Sequence, residues 1–192
     1  MTVEAIPTRD QAIALLHEWI ENPALRKHCI AVEACMRAYA RRYGGDEHRW
    51  ALTGLIHDFD WERHPDAERH PMKGVEFLRA SGWPEDICRA VLGHATYSGV
   101  PRDTDMARAL FACDELAGFL VACALVTPTR SLDQVEVASV RKKMKRADFA
   151  RNVNRADIVQ GTQELGVELD PHIAFCLEAL RAIQPELGLG GA

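Results

Sequence analysis

The chain has 192 residues, 47% of them hydrophobic and 27% charged, which gives one domain material for a sizeable core and argues against disorder. A net charge of −5 excludes a surface built throughout for nucleic acid. The charge is uneven: from Arg141 to Arg155 seven Lys/Arg stand against one acid, Asp148, a local +6 that leaves −11 on the rest. Such a patch suits a compact anion, or is a solvated, salt-bridged helix face.

Strand signals are scarce and helical periodicity is widespread, so the spacing predicts an all-α fold. Met1–Pro7 lack a basic stretch followed by an apolar one, so no signal peptide is expected and the chain reads as cytoplasmic. Thr8 and Gln11 form a capping-box pattern that opens a helix to about Glu21. Asn22-Pro23 starts a second helix, stopped by Gly44-Gly45. Asp46 caps a third, running to about His57, and residues 58–70 read as a loop. Pro71 opens a fourth helix ended by Gly82, and Pro84 a fifth ended near Thr96. A long apolar helix spans about Thr104 to Val126. It contains Arg108, Asp114 and Glu115 and reads as a core helix, not a membrane span. Further helices are expected over 131–145, 154–165 and 170–183, with a frayed tail from Gly188. The whole is one domain, 1–192, with a core at about 20–125 and a C-terminal subregion at about 128–185.

The six cysteines (29, 35, 88, 113, 123, 176) form no Cys-x-x-Cys pair and sit in apolar stretches. They read as small buried hydrophobes in a reducing compartment, not as a disulfide frame or a thiolate zinc site.

Six residues carry chemistry. His28 lies on the apolar face of its helix, where a lone histidine is more often a satisfied core residue than a ligand. His57-Asp58 ends an apolar helix; neighbours in a helix point about 100° apart, so both reach one ion only where the helix stops. Asp114 stands in Ala109-Leu-Phe-Ala-Cys-Asp-Glu-Leu, where an unpaired carboxylate is costly and needs a cation or an Arg/Lys partner. His94 comes late in the fifth helix. His70 stands at the mouth of the fourth and is preferred over His64, also followed by Pro. Together these are imidazoles and carboxylates on separate helices, a set suited to Fe, Mn, Co, Ni or Zn more than Ca.

The order His28, His57-Asp58, Asp114 resembles the HD-domain superfamily of metal-dependent phosphohydrolases. His57-Asp-Phe-Asp resembles its His-Asp-Ile-Gly variant, His70-Pro-x-x-Gly74 a segment of the binuclear members, and Gly93-His94-Ala their next ligand. Arg141–Arg155, with Phe149-Ala-Arg-Asn-Val-Asn-Arg, resembles a subgroup of predicted HD-superfamily hydrolases. The resemblance implies an HD-domain helical bundle with extra C-terminal helices, His28, His57, Asp58 and Asp114 on a first metal, and His70 and His94 on a second bridged by Asp58. Asp60 replaces the usual Gly, the lysine that follows in cyclic-dinucleotide members is missing, and no Gly-Tyr-Pro occurs, so cyclic-dinucleotide hydrolysis is not expected.

The leading expectation is hydrolysis of a small phosphorylated compound or nucleotide by a metal-activated water, with Asp58, Asp60, Glu62 or Glu115 handling protons. Lys142, Lys143, Lys145, Arg151 or Arg155 would hold the phosphate. The alternatives are an HD-type di-iron oxygenase acting on an organophosphonate or polyol, and a non-catalytic metal- or nucleotide-binding module. No nucleic-acid polymer and no membrane partner are expected.

Overall fold

The computed structural model describes residues 6–190. Among them are nine α-helices and no strand, so the all-α expectation holds. The helices are α1 (Arg9–Trp19), α2 (Pro23–Tyr43), α3 (Glu47–Ile56), α4 (Met72–Ala80), α5 (Glu85–His94), α6 (Asp105–Leu125), α7 (Val137–Met144), α8 (Arg155–Leu165) and α9 (Leu169–Arg181). None is long and apolar enough to cross a membrane.

Local chemistry sets most boundaries. Thr8 and Gln11 complete the capping box of α1. Asn22 caps α2, Pro23 takes its first position, and Gly44 ends it at φ 68°, in the left-handed region. Asp46 accepts from the His48 and Arg49 N–H groups to start α3.

Two expectations fail. The helix foreseen over 131–145 is a 3-10 turn, Leu132–Gln134, followed by α7. Arg181 from α9 donates to the carbonyls of Leu132 and Val135, and Val135 is held extended and buried. Those carbonyls serve a tertiary contact where a helix would have used them for its own ladder. Nor is the tail frayed up to Gly190: Leu187 and Leu189 are buried, and the Gly190 N–H donates to the Arg130 carbonyl. Met1–Ala5 and Gly191–Ala192, which carried part of the leader and tail expectations, lie outside the described residues.

The core sits where α2 packs on α3 and α6, with α5, α8 and α9 closing the sides of α6. Missing side chains make two of these approaches. A Cβ on Gly54 of α3 would stand 2.9 Å from the Val32 carbonyl of α2. A Cβ on Gly161 of α8 would stand 2.6 Å from Ala112 Cα of α6. The first approach brings the end of α3, and so His57, against α2, which carries His28. The second presses α8 onto the helix that carries Asp114.

Candidate metal centre

α3 ends at Ile56 and the chain then runs in turns, so His57 and Asp58 leave the helix pointing into the same space. α2 brings His28 and α6 brings Asp114. His28 Nε2 lies 3.0 Å from Asp114 Oδ1 and 3.2 Å from His57 Nε2, and His57 Nε2 lies 3.3 Å from the same carboxylate oxygen. Asp58 Oδ2 completes this group at 3.6 Å from His57 and 3.8 Å from His28. The other oxygen of Asp58 faces a second group. Oδ1 is 3.3 Å from both His70 Nε2 and His94 Nε2, which stand 3.2 Å apart.

Hydrogen bonds behind the rings decide what these atoms present. His57 Nδ1 lies 2.7 Å from the Gly54 carbonyl, and His94 Nδ1 bonds the Val91 carbonyl. A carbonyl only accepts, so both Nδ1 atoms carry the proton and both Nε2 atoms offer bare lone pairs. His70 Nδ1 donates to Asp60 Oδ1 at 2.7 Å, with the same result. Bare lone pairs and carboxylate oxygens that close repel each other unless a metal ion or added ring protons sit among them. Donors about 2.1 Å from one ion stand roughly 3.0–3.4 Å apart, the spacing found here except at Asp58 Oδ2, which is 3.6 and 3.8 Å from its two histidines. The residues therefore fit one transition-metal ion in each group, with Asp58 shared.

The electrostatics say the same. Burial opposes charge on His57, yet the Asp58 and Asp114 carboxylates outweigh it and lift its pKa to about 9. His70 reaches about 9 against its burial through Asp58 and Asp60. Asp58 and Asp114 are held well below the ordinary carboxylate range although burial opposes this, His57 being the main opposing influence. Where no ion is bound, protons on the two histidines supply the missing positive charge.

The sign of the pH response follows. Raised from an ordinary 6.5 to about 9, these histidines stabilise metal-free protein fully below pH 6.5, and the contribution disappears as pH rises through 9. An ion must displace a proton from each group. The apparent affinity for each ion will therefore rise by about tenfold per pH unit below 9 and level off above it. Chelator-competition titrations at pH 7, 8 and 9.5 will read this. An affinity indifferent to pH would contradict it.

Asp60 has a different role from the one foreseen. It is fully buried, outside the cavity, and its second oxygen accepts the Gly74 N–H at 2.8 Å. It holds His70 by its ring N–H and does not line the cavity. A Cβ on Gly74 would stand 2.5 Å from Asp60 Cγ, which explains the glycine four residues after His70. Asp60→Ala will weaken the second ion by about 10- to 100-fold and leave the first in place. Metal stoichiometry after dialysis will show this as one ion per chain.

Glu62 also lies elsewhere, accepting the Glu21 and Asn22 N–H groups between α1 and α2. Glu115 does line the cavity, with Oε2 accepting the Asn154 N–H at 3.0 Å. Burial and the neighbouring Asp114 raise its pKa to about 7. His64 stands apart from both ligand groups, packed edge-on against Trp19.

The centre opens into a cavity of about 390 Å³ whose further walls include Trp61, Tyr97, Phe111, Asn152, Val153 and Asp157. None of Lys142, Lys143, Lys145, Arg151 and Arg155 lines it. Arg155 is the informative case: its guanidinium donates to the carbonyls of Arg146, Phe149, Ala150 and Val153 and tethers the loop that presents Asn152 and Val153. Lys143 bonds Ser139, and Lys142, Lys145 and Arg151 are exposed. Asn152 lay in the stretch Phe149–Arg155 singled out in the sequence, but neither it nor Asp157 was read as a cavity residue, because a polar residue at a loop or helix start reads the same whether it faces solvent or a cavity.

The family model described as HD domain matches residues 25–118, just under half of the chain. The match takes in His28, His57, Asp58, His70, His94 and Asp114 and stops short of the loop and helix that supply Asn152, Val153 and Asp157. No curated protein and no solved structure matches the chain.

Proposed function

From the premise that residues 25–118 match the HD domain, we propose that this protein is a metal-dependent phosphohydrolase acting on a small phosphorylated compound. One observation carries the reading: Asp58 turns one oxygen to each of two groups of imidazole and carboxylate donors. His28, His57, Asp114 and Asp58 would hold one divalent ion, and His70, His94 and Asp58 the other. Ions there would supply a water acidic enough to react at neutral pH and would neutralise charge on phosphoryl oxygens.

The chain's own residues do the rest. His57 and His94, locked by Gly54 and Val91, hold their Nε2 atoms in place with little reorganisation. Trp61, Tyr97 and Phe111 line the cavity and limit the water around a bound substrate. Glu115, with a pKa about 7, gives or takes a proton at a substrate oxygen near neutral pH. With no Lys or Arg lining the cavity among the described residues, the substrate's phosphate charge is met by the ions and not by a basic clamp.

Turnover of a panel of nucleotides and phosphomonoesters by protein loaded in turn with Mn, Fe, Co, Ni and Zn tests the proposal. Phosphate release that disappears with chelator supports it; no release from any member with any metal overturns it. Oxygen uptake by the iron-loaded protein with organophosphonates or polyols would assign the same centre to oxidation instead.

A further inference from the structure

Away from the His/Asp centre, three thiols from three helices meet. Cys35 of α2, Cys113 of α6 and Cys176 of α9 are each fully buried, and their Sγ atoms all lie within 4.8 Å of one another. Cys29, Cys88 and Cys123 are also buried but belong to no such group, so packing accounts for them. A fourth donor stands beside one of the three, Cys176. His172, one turn before Cys176 on α9, has Nδ1 3.8 Å from Cys176 Sγ. Its Nε2–H donates to the Ala112 carbonyl at 2.9 Å, so Nδ1 carries the lone pair, which accepts the Tyr39 hydroxyl at 2.5 Å. A ligating histidine has this arrangement, one ring N–H fixed by a carbonyl and the other nitrogen free to donate electrons.

We propose that Cys35, Cys113 and Cys176, with His172 Nδ1 released from Tyr39, form a second and purely structural metal site for Zn2+. Around zinc, sulfurs at about 2.3 Å in tetrahedral array lie about 3.8 Å apart, so three sulfurs already within 4.8 Å need little movement. Thiolate donors prefer a soft or borderline ion, whereas the His/Asp centre offers nitrogen and oxygen, so the two sites sort different metals. Binding displaces three thiol protons and leaves a net charge of −1. Arg42, stacked over the rings of Tyr39 and Phe175, brings positive charge to the rim. The ion would tie α2, α6 and α9 at one point, with Cys113 immediately before Asp114.

The probe is Co2+, whose thiolate complexes absorb strongly in the near ultraviolet while its histidine–carboxylate complexes do not. Reduced full-length protein is titrated with Co2+ as purified and after refolding in its presence, since a fully buried site fills as the helices assemble. The expected result is a thiolate charge-transfer band at one Co2+ per chain, displaced by Zn2+. The band is retained in His57→Ala/His70→Ala and lost in Cys113→Val, a swap of similar volume whose fold is checked by circular dichroism. Should Cys113→Val not fold, loss of the band in Cys176→Ala serves in its place. A wild-type protein with all six thiols reduced that shows no band by either route overturns the proposal and leaves the three thiols as core packing.

Discussion

Asp58→Ala will empty both proposed metal positions and lower the proposed phosphohydrolase turnover by more than about 10³-fold, the scale on which loss of a group shared by the whole machinery is felt. The reason lies in its two oxygens, one on each donor group. His94→Ala removes a donor from one group only, so that protein is expected to keep one ion per chain. Elemental analysis after dialysis separates the two variants: about none for Asp58→Ala, about one for His94→Ala, about two for the parent. If Asp58→Ala retained two ions, the shared-carboxylate arrangement would be wrong.

Gly161→Val is the change expected to cost most stability, about 3 kcal/mol, because the new side chain meets backbone that cannot rotate away. The Cβ would stand 2.6 Å from Ala112 Cα and 3.2 Å from Ala112 N, on the helix that carries Asp114. For a domain of this length that loss corresponds to a fall of about 6–12 °C in Tm. Calorimetry of metal-free protein reads it without interference from bound ions, and a fall under about 2 °C would show that α8 can shift outward at no cost. Because α8 also carries Asp157 into the cavity wall, a shift of that kind would enlarge KM while metal content stayed normal.

Much of the centre was legible in the sequence for a definite reason. Asp114 is a carboxylate amid apolar residues, and His57-Asp58 stands where an apolar helix must end; both are anomalies that burial makes expensive and that a cation relieves. Asp60 was open between an acid–base group and an acid supporting the centre from behind, since nothing in Asp-Phe-Asp-Trp tells whether an acid meets solvent, substrate or the back of an imidazole; it stands behind His70. The basic run stayed open between an anion patch and a solvated, salt-bridged face for a similar reason: charge summed along a chain does not say which way each side chain turns. Arg141 and Arg146 pair with Asp170 and Asp148, and Arg155 turns inward onto four carbonyls. The failed helix over 131–145 depended on Arg181, about fifty residues later. The three sulfurs on α2, α6 and α9 share no local spacing, and only the packing of those helices brings them together.

The tether formed by Arg155 is self-contained. The guanidinium and all four carbonyls it holds fall within residues 146–155, so the wall that presents Asn152 and Val153 carries its own scaffold. The donors that would do chemistry lie earlier, within 25–118. Part of the cavity wall thus comes from a stretch that supplies none of the donors, and substitutions there can reshape the cavity without removing one.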